Sequence, residues 1–192
     1  MTESRTIAVF GGSFDPPHVG HVLAMAYVLA VEAVDGLVMV PTFAHPFGKE
    51  PSAGFDHRVR MCELCAEPLR QVEVSRIEEE LGGTSHTLRT LEAMTERHPE
   101  TQLRLVVGAD VLPETAKWHR WDRIAQVAPP IVVGRAGYGG PDGPTVAMPD
   151  VSSTELRRRL ARDRTTRGML PAAVERHILD HDLYRTEEGE GA

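Results

Sequence analysis

The order of apolar and polar residues in the first forty positions predicts a strand, a glycine turn, a helix and a second strand. Thr6–Phe10 is a short apolar run rich in β-branched residues, and Leu37–Val40 is another, ended by Pro41. Between the two runs, apolar residues from Val22 to Ala33 recur at steps of three and four, which places them on one helix face. A unit of this kind is expected to have parallel strands joined by a right-handed crossover.

The rest of the chain continues to alternate strands with helices. Further strands are predicted over Val72–Val74, Leu103–Val107, Ile131–Val133 and Thr145–Met148. Helices are predicted over Phe55–Glu67, Ser85–Arg97, Ser153–Arg162 and Pro171–His181, with Ala109–Gln126 helical in pieces. This alternation predicts an α/β, doubly wound fold with a mainly parallel sheet, whose ligands bind beyond the carboxyl ends of the strands. Without a repeat or a long linker, residues 1–192 are expected to form one domain, in which about 150–184 are a small C-terminal helical part.

Composition narrows the class of protein. Hydrophobic residues make up 41% of the 192 positions and charged residues 26%, which is typical of a globular protein. No apolar run approaches the ~20 residues that span a bilayer, and Met1–Arg5 lacks the apolar stretch of a secretory signal. We therefore expect a cytoplasmic protein with no membrane partner. The net charge of −7, with nine histidines neutral, argues against a general nucleic-acid binder but allows a locally positive phosphate site.

The segment Gly11–His21, GGSFDPPHVGH, lies between the first strand and the first helix. Gly11 and Gly12 permit a sharp turn and a close approach to a ligand. The following helix presents unpaired N–H groups and a partial positive charge, which favour anions. His18 and His21 are three residues apart and can donate to phosphate oxygens from the same side. Taken alone, such a pair is more typical of helix-capping or surface histidines, and a metal site would need a third ligand.

A second helix start near the end of the chain is also suited to anions. Val151–Arg157 reads VSSTELR, in which Ser152 and Ser153 are good N-cap residues. Arg157 lies one turn into the helix and can add a charge-assisted donor. The alternative is a solvated, arginine-rich helix, because six arginines fall between Arg157 and Arg167.

Several residues between these two segments are candidates for binding the rest of a ligand. Asp110 follows Gly108 at the end of a predicted strand, where its carboxylate can accept from ribose hydroxyls or cap a helix. Trp118 and Trp121 can each stack on an aromatic ring or pack in the core, and we favour Trp118 for stacking.

Two loop cations and a cysteine pair complete the candidates. Lys49, in the loop His45–Lys49, and Arg135, after a predicted strand, can each reach a phosphate, although an exposed loop lysine is as good an interpretation. Cys62 and Cys65 form CxxC on a predicted helix. Without a second pair or a preceding strand, they are expected to be a buried helix face and not a zinc or redox site.

Both phosphate-binding candidates resemble motifs of one enzyme family. Gly11–His21 is similar to the signature of the cytidylyl- and adenylyltransferase superfamily, and its Asp-Pro-Pro-His form most resembles the nicotinate mononucleotide adenylyltransferases. Val151–Arg157 resembles their Ile-Ser-Ser-Thr-x-x-Arg motif, with Val151 in place of Ile. The resemblance extends from Ile7 to Tyr184. It implies a Rossmann-like fold and transfer of AMP from ATP to nicotinate mononucleotide, giving deamido-NAD and pyrophosphate, with Mg²⁺ on the phosphates.

The resemblance also implies roles for individual residues. The catalytic residues would be His18, His21 and Arg157. Those that bind ATP would be Gly11, Gly12, Ser13, Phe14, His18, His21, Gly108, Asp110, Ser152, Ser153 and Arg157. Those that bind the second substrate would be Lys49, His86, Thr87, Trp118 and Arg135. Thr84–Thr87 is similar to the family's Ser-Tyr-Thr segment, in which backbone N–H groups hold the nicotinate carboxylate, but His86 replaces the Tyr.

Other functions stay open at this point. A related adenylyltransferase could use nicotinamide mononucleotide or phosphopantetheine, although chains of the latter kind are usually shorter and lack the Trp and Ser-x-Thr pocket. A non-catalytic nucleotide sensor and an RNA-binding protein that uses the arginine cluster are the alternatives from other classes. The sequence does not decide which acceptor is used. It does not decide the oligomeric state either, so a homo-oligomer stays open.

Overall fold

The computed structural model describes residues 5–44, 50–110, 112–113, 118–134, 149–162 and 164–185. Lys49, Arg135 and the predicted strand Thr145–Met148 lie outside the described residues.

A parallel sheet forms the centre of the described structure. Its strands are β1 (Thr6–Gly12), β2 (Gly36–Pro41), β3 (Val72–Val74), β4 (Gln102–Gly108) and β5 (Pro130–Val133). They lie in the order β3-β2-β1-β4-β5, and every neighbouring pair is parallel. The chain leaves β1 toward β2 on one side and returns to β4 on the other. The topological switch point, where such sheets bind ligands, is therefore between β1 and β4.

The helices in the described residues are α1 (Val19–Val31), α2 (Phe55–Ala66), α3 (Ile77–Leu81), α4 (Thr87–Arg97), α5 (Trp121–Val127), α6 (Ser153–Leu160) and α7 (Ala172–Asp180). The sequence did not predict α3, because a single turn is too short to show helical periodicity. Within Ala109–Gln126, predicted to be helical in pieces, the described residues contain a short 3-10 segment at 112–113 and the α-helix that begins at Trp121. The start of α4 was also misplaced, because His86 and not Thr84 or Ser85 is its N-cap.

The core consists of two apolar clusters, one on each face of the sheet. Successive strand residues point to opposite faces, so Ala8 belongs to one cluster and Val9 to the other, and Met39 and Val40 divide in the same way. The first cluster includes apolar residues of α1, α2, α6 and α7, and the second those of α3, α4 and α5. Helices therefore cover both faces, which confirms the doubly wound α/β fold. None of the described helices is long and apolar enough to cross a membrane.

The cysteine pair lies in the first of these clusters. Cys62 and Cys65 are fully buried free thiols on α2. Burial raises the pKa of Cys65 to about 12 and raises the pKa of Cys62 well above its usual value. Both groups are thus protonated thiols at neutral pH, and the prediction of a buried helix face is confirmed.

Candidate active site

The turn between β1 and α1 presents two stacked imidazoles. His18 is the N-cap of α1, and its backbone N–H donates to Nδ1 of His21 at 3.0 Å. Because a backbone N–H can only donate, Nδ1 of His21 is the acceptor, and the neutral ring carries its proton on Nε2. The two ring centroids are 3.8 Å apart. The local geometry therefore makes Nε2–H of His21 a hydrogen-bond donor at a helix N-terminus.

Two phenylalanines fix the orientation of the His21 ring. Phe14 is buried, with a positive φ of 47°, and its ring lies edge-on to His21 at 5.1 Å. Phe10, from β1, lies 5.8 Å from His21 and contacts Phe14 edge-to-face at 5.5 Å. Packing against both phenylalanine rings limits the rotation of the imidazole, so its donor has a set direction.

Asp15 ties the turn to two distant segments. The residue is 3% exposed, and its carboxylate accepts from the N–H groups of Ser52 and Ala53 at 2.7 and 3.0 Å. The hydroxyl of Tyr184 donates to the same carboxylate at 2.8 Å. Burial, and then the charge of Asp15, raise the pKa of Tyr184, so the phenol stays protonated and remains a donor.

Arg58 lies behind the turn and was not singled out from the sequence. Its side chain is fully buried and donates to the carbonyls of Ala53 at 3.1 Å, Ser13 at 2.9 Å and Thr42 at 2.8 Å. Burial lowers the pKa of this guanidinium, while the charge of Asp15 opposes that effect. Arg58 thus joins the segments that follow β1 and β2 to the approach of α2.

The N-terminus of α6 packs directly against the turn. Ser153 Oγ donates to the carbonyl of Pro16 at 2.9 Å, across 137 positions of sequence. Arg157 donates to the carbonyl of Asp15 at 2.6 Å and lies 3.7 Å from its carboxylate. The structure therefore brings His18, His21, Ser153 and Arg157 to a single place, where two helix N-termini meet.

Both serine hydroxyls of this second segment already contact protein groups. Ser152 Oγ accepts from the N–H of Glu155 at 3.2 Å and so caps α6, while Ser153 holds the turn as described. Arg157 also has a long contact of 3.4 Å to Thr154 Oγ1. A guanidinium has five N–H donors, so Arg157 keeps donors beyond those that hold the turn.

A cavity of about 350 Å³ opens beside the same glycine turn. It lies at the carboxyl ends of β1, β2 and β4, next to the switch point. Gly11, Gly12 and Ser13 form one wall. His86, Thr87 and Trp118, which sequence reasoning assigned to the second substrate, also line the cavity. His18, His21 and Arg157 do not line the cavity. The two histidines belong to the adjoining turn, and Arg157 contacts that turn at Asp15.

The two tryptophans have different positions at the cavity. Trp118 lines the cavity, while Trp121 is the first residue of α5 and meets Trp118 edge-to-face at 5.6 Å. His86 is the N-cap of α4, but its side chain makes no capping hydrogen bond. The N–H groups at the start of α4 therefore remain donors at the cavity wall.

Other polar lining residues were missed from the sequence. Glu78 of α3 accepts from the N–H of Phe43 at 3.0 Å and from Thr90 Oγ1 at 3.1 Å. His119 also lines the cavity, with its ring centroid 6.0 Å from that of His86. In the sequence, His119 simply follows Trp118, and Glu78 is one of three consecutive glutamates. Neither residue therefore stands out by its pattern.

The remaining predicted residues, Gly108 and Asp110, lie at the end of β4 and outside the lining of the cavity. Gly108 is the last residue of β4 and lies opposite Val133 in the ladder. The N–H of Ala109 donates to the carbonyl of Val133 at 2.9 Å. Asp110 follows in a turn at this edge of the sheet and is partly exposed. Neither Gly108 nor Asp110 lines the cavity.

Comparison with known proteins agrees with this arrangement. A family model described as cytidylyltransferase-like matches residues 9–159, which contain both helix starts. The chain belongs to this family. Within it, a probable nicotinate-nucleotide adenylyltransferase from Anaeromyxobacter sp. (strain K) is 46% identical over 96% of this chain and 100% of the relative. Proteins of the same name from Myxococcus xanthus and Thermus thermophilus are 40% and 36% identical, over 96% and 93% of this chain and 97% and 99% of theirs.

Solved structures of low sequence identity share the fold. Nicotinic acid mononucleotide adenylyltransferase from Plasmodium falciparum, complexed with NaAD, superposes with a TM-score of 0.81 at 17% identity, covering 94% of this chain and 97% of that one. The same protein complexed with APC gives a TM-score of 0.78 over the same shares of the chains.

Proposed function

We propose that this chain transfers the AMP group of ATP to nicotinate mononucleotide, producing deamido-NAD and pyrophosphate. The observation that carries the proposal is the meeting of two helix N-termini at one turn. The turn supplies His18 and His21, and α6 supplies Arg157. Such a concentration of donors and positive charge suits a triphosphate, and an acceptor cavity adjoins it through Gly11–Ser13.

The phosphates of ATP would lie across the two helix starts. His21 would donate from Nε2 to the α-phosphate, since its Nδ1 is occupied by the backbone of His18. Arg157 and the backbone N–H groups of Ser152 and Ser153 would bind the β- and γ-phosphates. Because the serine hydroxyls contact protein groups, the backbone at this helix start is the better candidate for holding pyrophosphate.

The acceptor nucleotide would occupy the cavity. A volume of about 350 Å³ suits one ring and its sugar, and Trp118 offers an indole for stacking on a pyridine. The N–H groups at the start of α4, beside His86 and Thr87, would bind the ring carboxylate through their partial positive charge. This last contact is what favours nicotinate over nicotinamide, since an amide carries no charge.

The reaction needs no general base. A phosphate oxygen of the acceptor forms a bond to the α-phosphorus of ATP, and the bond from that phosphorus to the bridging oxygen of pyrophosphate breaks. The acceptor oxygen is already ionised at neutral pH. The protein must hold two anions in line and neutralise the charge that builds on the α-phosphate and the leaving group, which His21 and Arg157 are placed to do.

Magnesium fits this site as an ion carried by the substrate. Asp15, the carboxylate of the turn, already accepts from Ser52, Ala53 and Tyr184, so it has little capacity left for a cation. We expect Mg²⁺ to be bound by phosphate oxygens and water, as is usual for this ion. Its chemistry there would be to neutralise the phosphates of ATP.

An acceptor panel tests the proposal. The protein is mixed with labelled ATP, Mg²⁺ and, separately, nicotinate mononucleotide, nicotinamide mononucleotide or phosphopantetheine, and both the pyrophosphate and the labelled product are measured. We expect deamido-NAD to form with the highest kcat/KM of the three. Higher kcat/KM with another acceptor would reassign the substrate, and ATP binding without turnover on any acceptor would favour a nucleotide sensor.

A further inference from the structure

Three histidines meet on the surface where α2 packs against α7, and the reaction proposed above does not use them. His57 lies in the first turn of α2, His177 in the last turn of α7, and His181 is the residue that caps α7. One ring nitrogen from each lies within 4.8 Å of the others. Among the residues that the structure describes, this is the one group of three or more histidine, cysteine or carboxylate side chains close enough to share a metal ion.

The closest pair already has the spacing of metal ligands. Nδ1 of His57 and Nε2 of His177 are 3.2 Å apart. Two imidazole nitrogens bound to one Zn²⁺ at about 2.0–2.1 Å, with a tetrahedral angle between them, lie about 3.4 Å apart. This contact is a hydrogen bond between the two rings. A cation that replaces its proton would find the two nitrogens at ligand spacing once the rings rotate toward it.

His181 has a free coordinating nitrogen and the correct tautomer. Its Nδ1 lies 2.9 Å from the carbonyl oxygen of His177, and because a carbonyl only accepts, Nδ1–H is the donor. The lone pair of the neutral ring is then on Nε2, which is the arrangement usual in histidine metal ligands. His177 and His181 are four residues apart, so both rings project from one side of α7, with centroids 4.2 Å apart.

Charged side chains of both signs act on this site. Beyond the effect of burial, Arg60, one turn along α2 from His57, lowers the pKa of His177, and Asp180 raises it. The guanidinium of Arg60 forms an ion pair with Glu63 at 2.8 Å, which offsets its positive charge. The observation that argues for an ion is the supply of three imidazole nitrogens at ligand spacing.

We propose that His57, His177 and His181 form a binding site for one divalent ion of the zinc type, with water in the remaining position. The water is expected because His181 is exposed, which leaves one side of the site open to solvent. Imidazole also suits Ni²⁺ and Co²⁺, so these ions are probes for the same site. An ion bound to α2 and α7 together would hold the two helices in contact.

The position of this site links it to the turn. His57 is next to Arg58, which donates to the carbonyls of Ser13 and Thr42. His181 is three residues before Tyr184, which donates to Asp15.

Since only the folded protein presents all three histidines together, binding stabilises the fold by mass action, and Tm should rise with metal concentration.

The test uses untagged protein that has been treated with a chelator. Zn²⁺ is titrated by calorimetry, Co²⁺ by its visible absorption, and Tm is followed at each concentration. We expect one equivalent to bind with a micromolar Kd. His57→Gln and His181→Gln should each weaken binding at least tenfold, while His98→Gln, at an exposed histidine elsewhere, should leave it unchanged.

Metal-free Tm values confirm that each variant folds, and His181→Gln is the safest of the set because this residue is exposed. Absence of saturable binding by the wild-type protein would overturn the proposal. So would binding that persists undiminished in both triad variants, since the ion would then lie elsewhere, for example at His18 and His21. Because the readouts are binding and Tm, they are independent of whether the chain transfers AMP.

Discussion

The turn Gly11–His21 and the cavity beside it share Gly11–Ser13, yet they are built on different principles. The turn is held by buried polar contacts from distant parts of the sequence, through Asp15, Arg58 and Arg157. The cavity is lined by residues of β1, β2 and β4, by residues of α4 and its N-terminal approach, and by the rings of His86, Trp118 and His119. Charge that builds on phosphate requires donors that are fixed beforehand, whereas a flat ring is recognised by shape and stacking. Substitution of the buried residues that support the turn should therefore lower stability, and substitution of its phosphate donors should lower turnover. Substitutions in the cavity should mainly alter acceptor affinity.

The largest effect should come from the buried support of the turn. Arg58→Met leaves the carbonyls of Ser13, Thr42 and Ala53 without this donor. It also removes one of the positive charges that act on Asp15, while Arg157 remains 3.7 Å from that carboxylate. We expect the free energy of unfolding to fall by about 3–5 kcal/mol in chemical denaturation. The matched control is Arg60→Met on the same helix, where the ion pair is exposed and the loss should be below about 1 kcal/mol. Equal losses would show that Arg58 does not organise the turn.

The second-largest effect should come from removal of the proposed phosphate donor, Nε2 of His21. His21→Asn keeps an acceptor for the N–H of His18 but has no atom at the position of Nε2. We expect kcat to fall about 100- to 1000-fold, as for other single donors to a transition state, with Tm close to that of the wild type. Steady-state turnover and thermal unfolding measure the two effects. Wild-type turnover in this variant would reduce His21 to a capping residue.

A substitution in the cavity should mainly change KM for the acceptor. Trp118→Ala removes the proposed stacking surface, so KM for nicotinate mononucleotide should rise about tenfold while KM for ATP changes little. Trp118→Phe should recover part of the loss. Trp121→Ala is the matched control, since that ring supports Trp118 without lining the cavity. Equal rises in both KM values would contradict the stacking role.

The smallest effect should come from Tyr184, whose hydroxyl contacts the turn at Asp15. Tyr184→Phe removes only the hydroxyl that donates to Asp15, while the backbone N–H groups of Ser52 and Ala53 still satisfy the carboxylate. We expect a loss of about 1 kcal/mol in the free energy of unfolding and little change in kcat. A loss of turnover larger than the loss of stability would place Tyr184 closer to the chemistry than its contact indicates.

Local patterns predicted much of the fold. β1, α1 and β2 have apolar periods long enough to show in the sequence, and Gly11–His21 is a contiguous motif, so its position followed from the chain alone. α3 did not, because five residues, three of them consecutive glutamates, show no helical period. The start of α4 was misplaced because Thr84 and Ser85 are better N-cap residues than His86, which tertiary contacts place there instead.

The support of the turn could not be predicted from the sequence. Arg58 lies among polar and charged residues of α2, where an arginine normally reaches solvent, and only the packing of α2 shows that it is buried. Tyr184 is 169 positions from Asp15, and no local rule connects residues so far apart. The histidine triad of α2 and α7 is of the same kind, since His57 is 120 positions from His177.

The central claim is that the starts of α1 and α6 bind one triphosphate together, and amide chemical shifts test it most directly. A non-hydrolysable ATP analogue with Mg²⁺ is titrated into ¹⁵N-labelled protein. We predict that the N–H resonances of Val19–His21 and of Ser152–Thr154 shift together, with one dissociation constant. Shifts confined to one of the two helix starts, or two unrelated dissociation constants, would contradict the account.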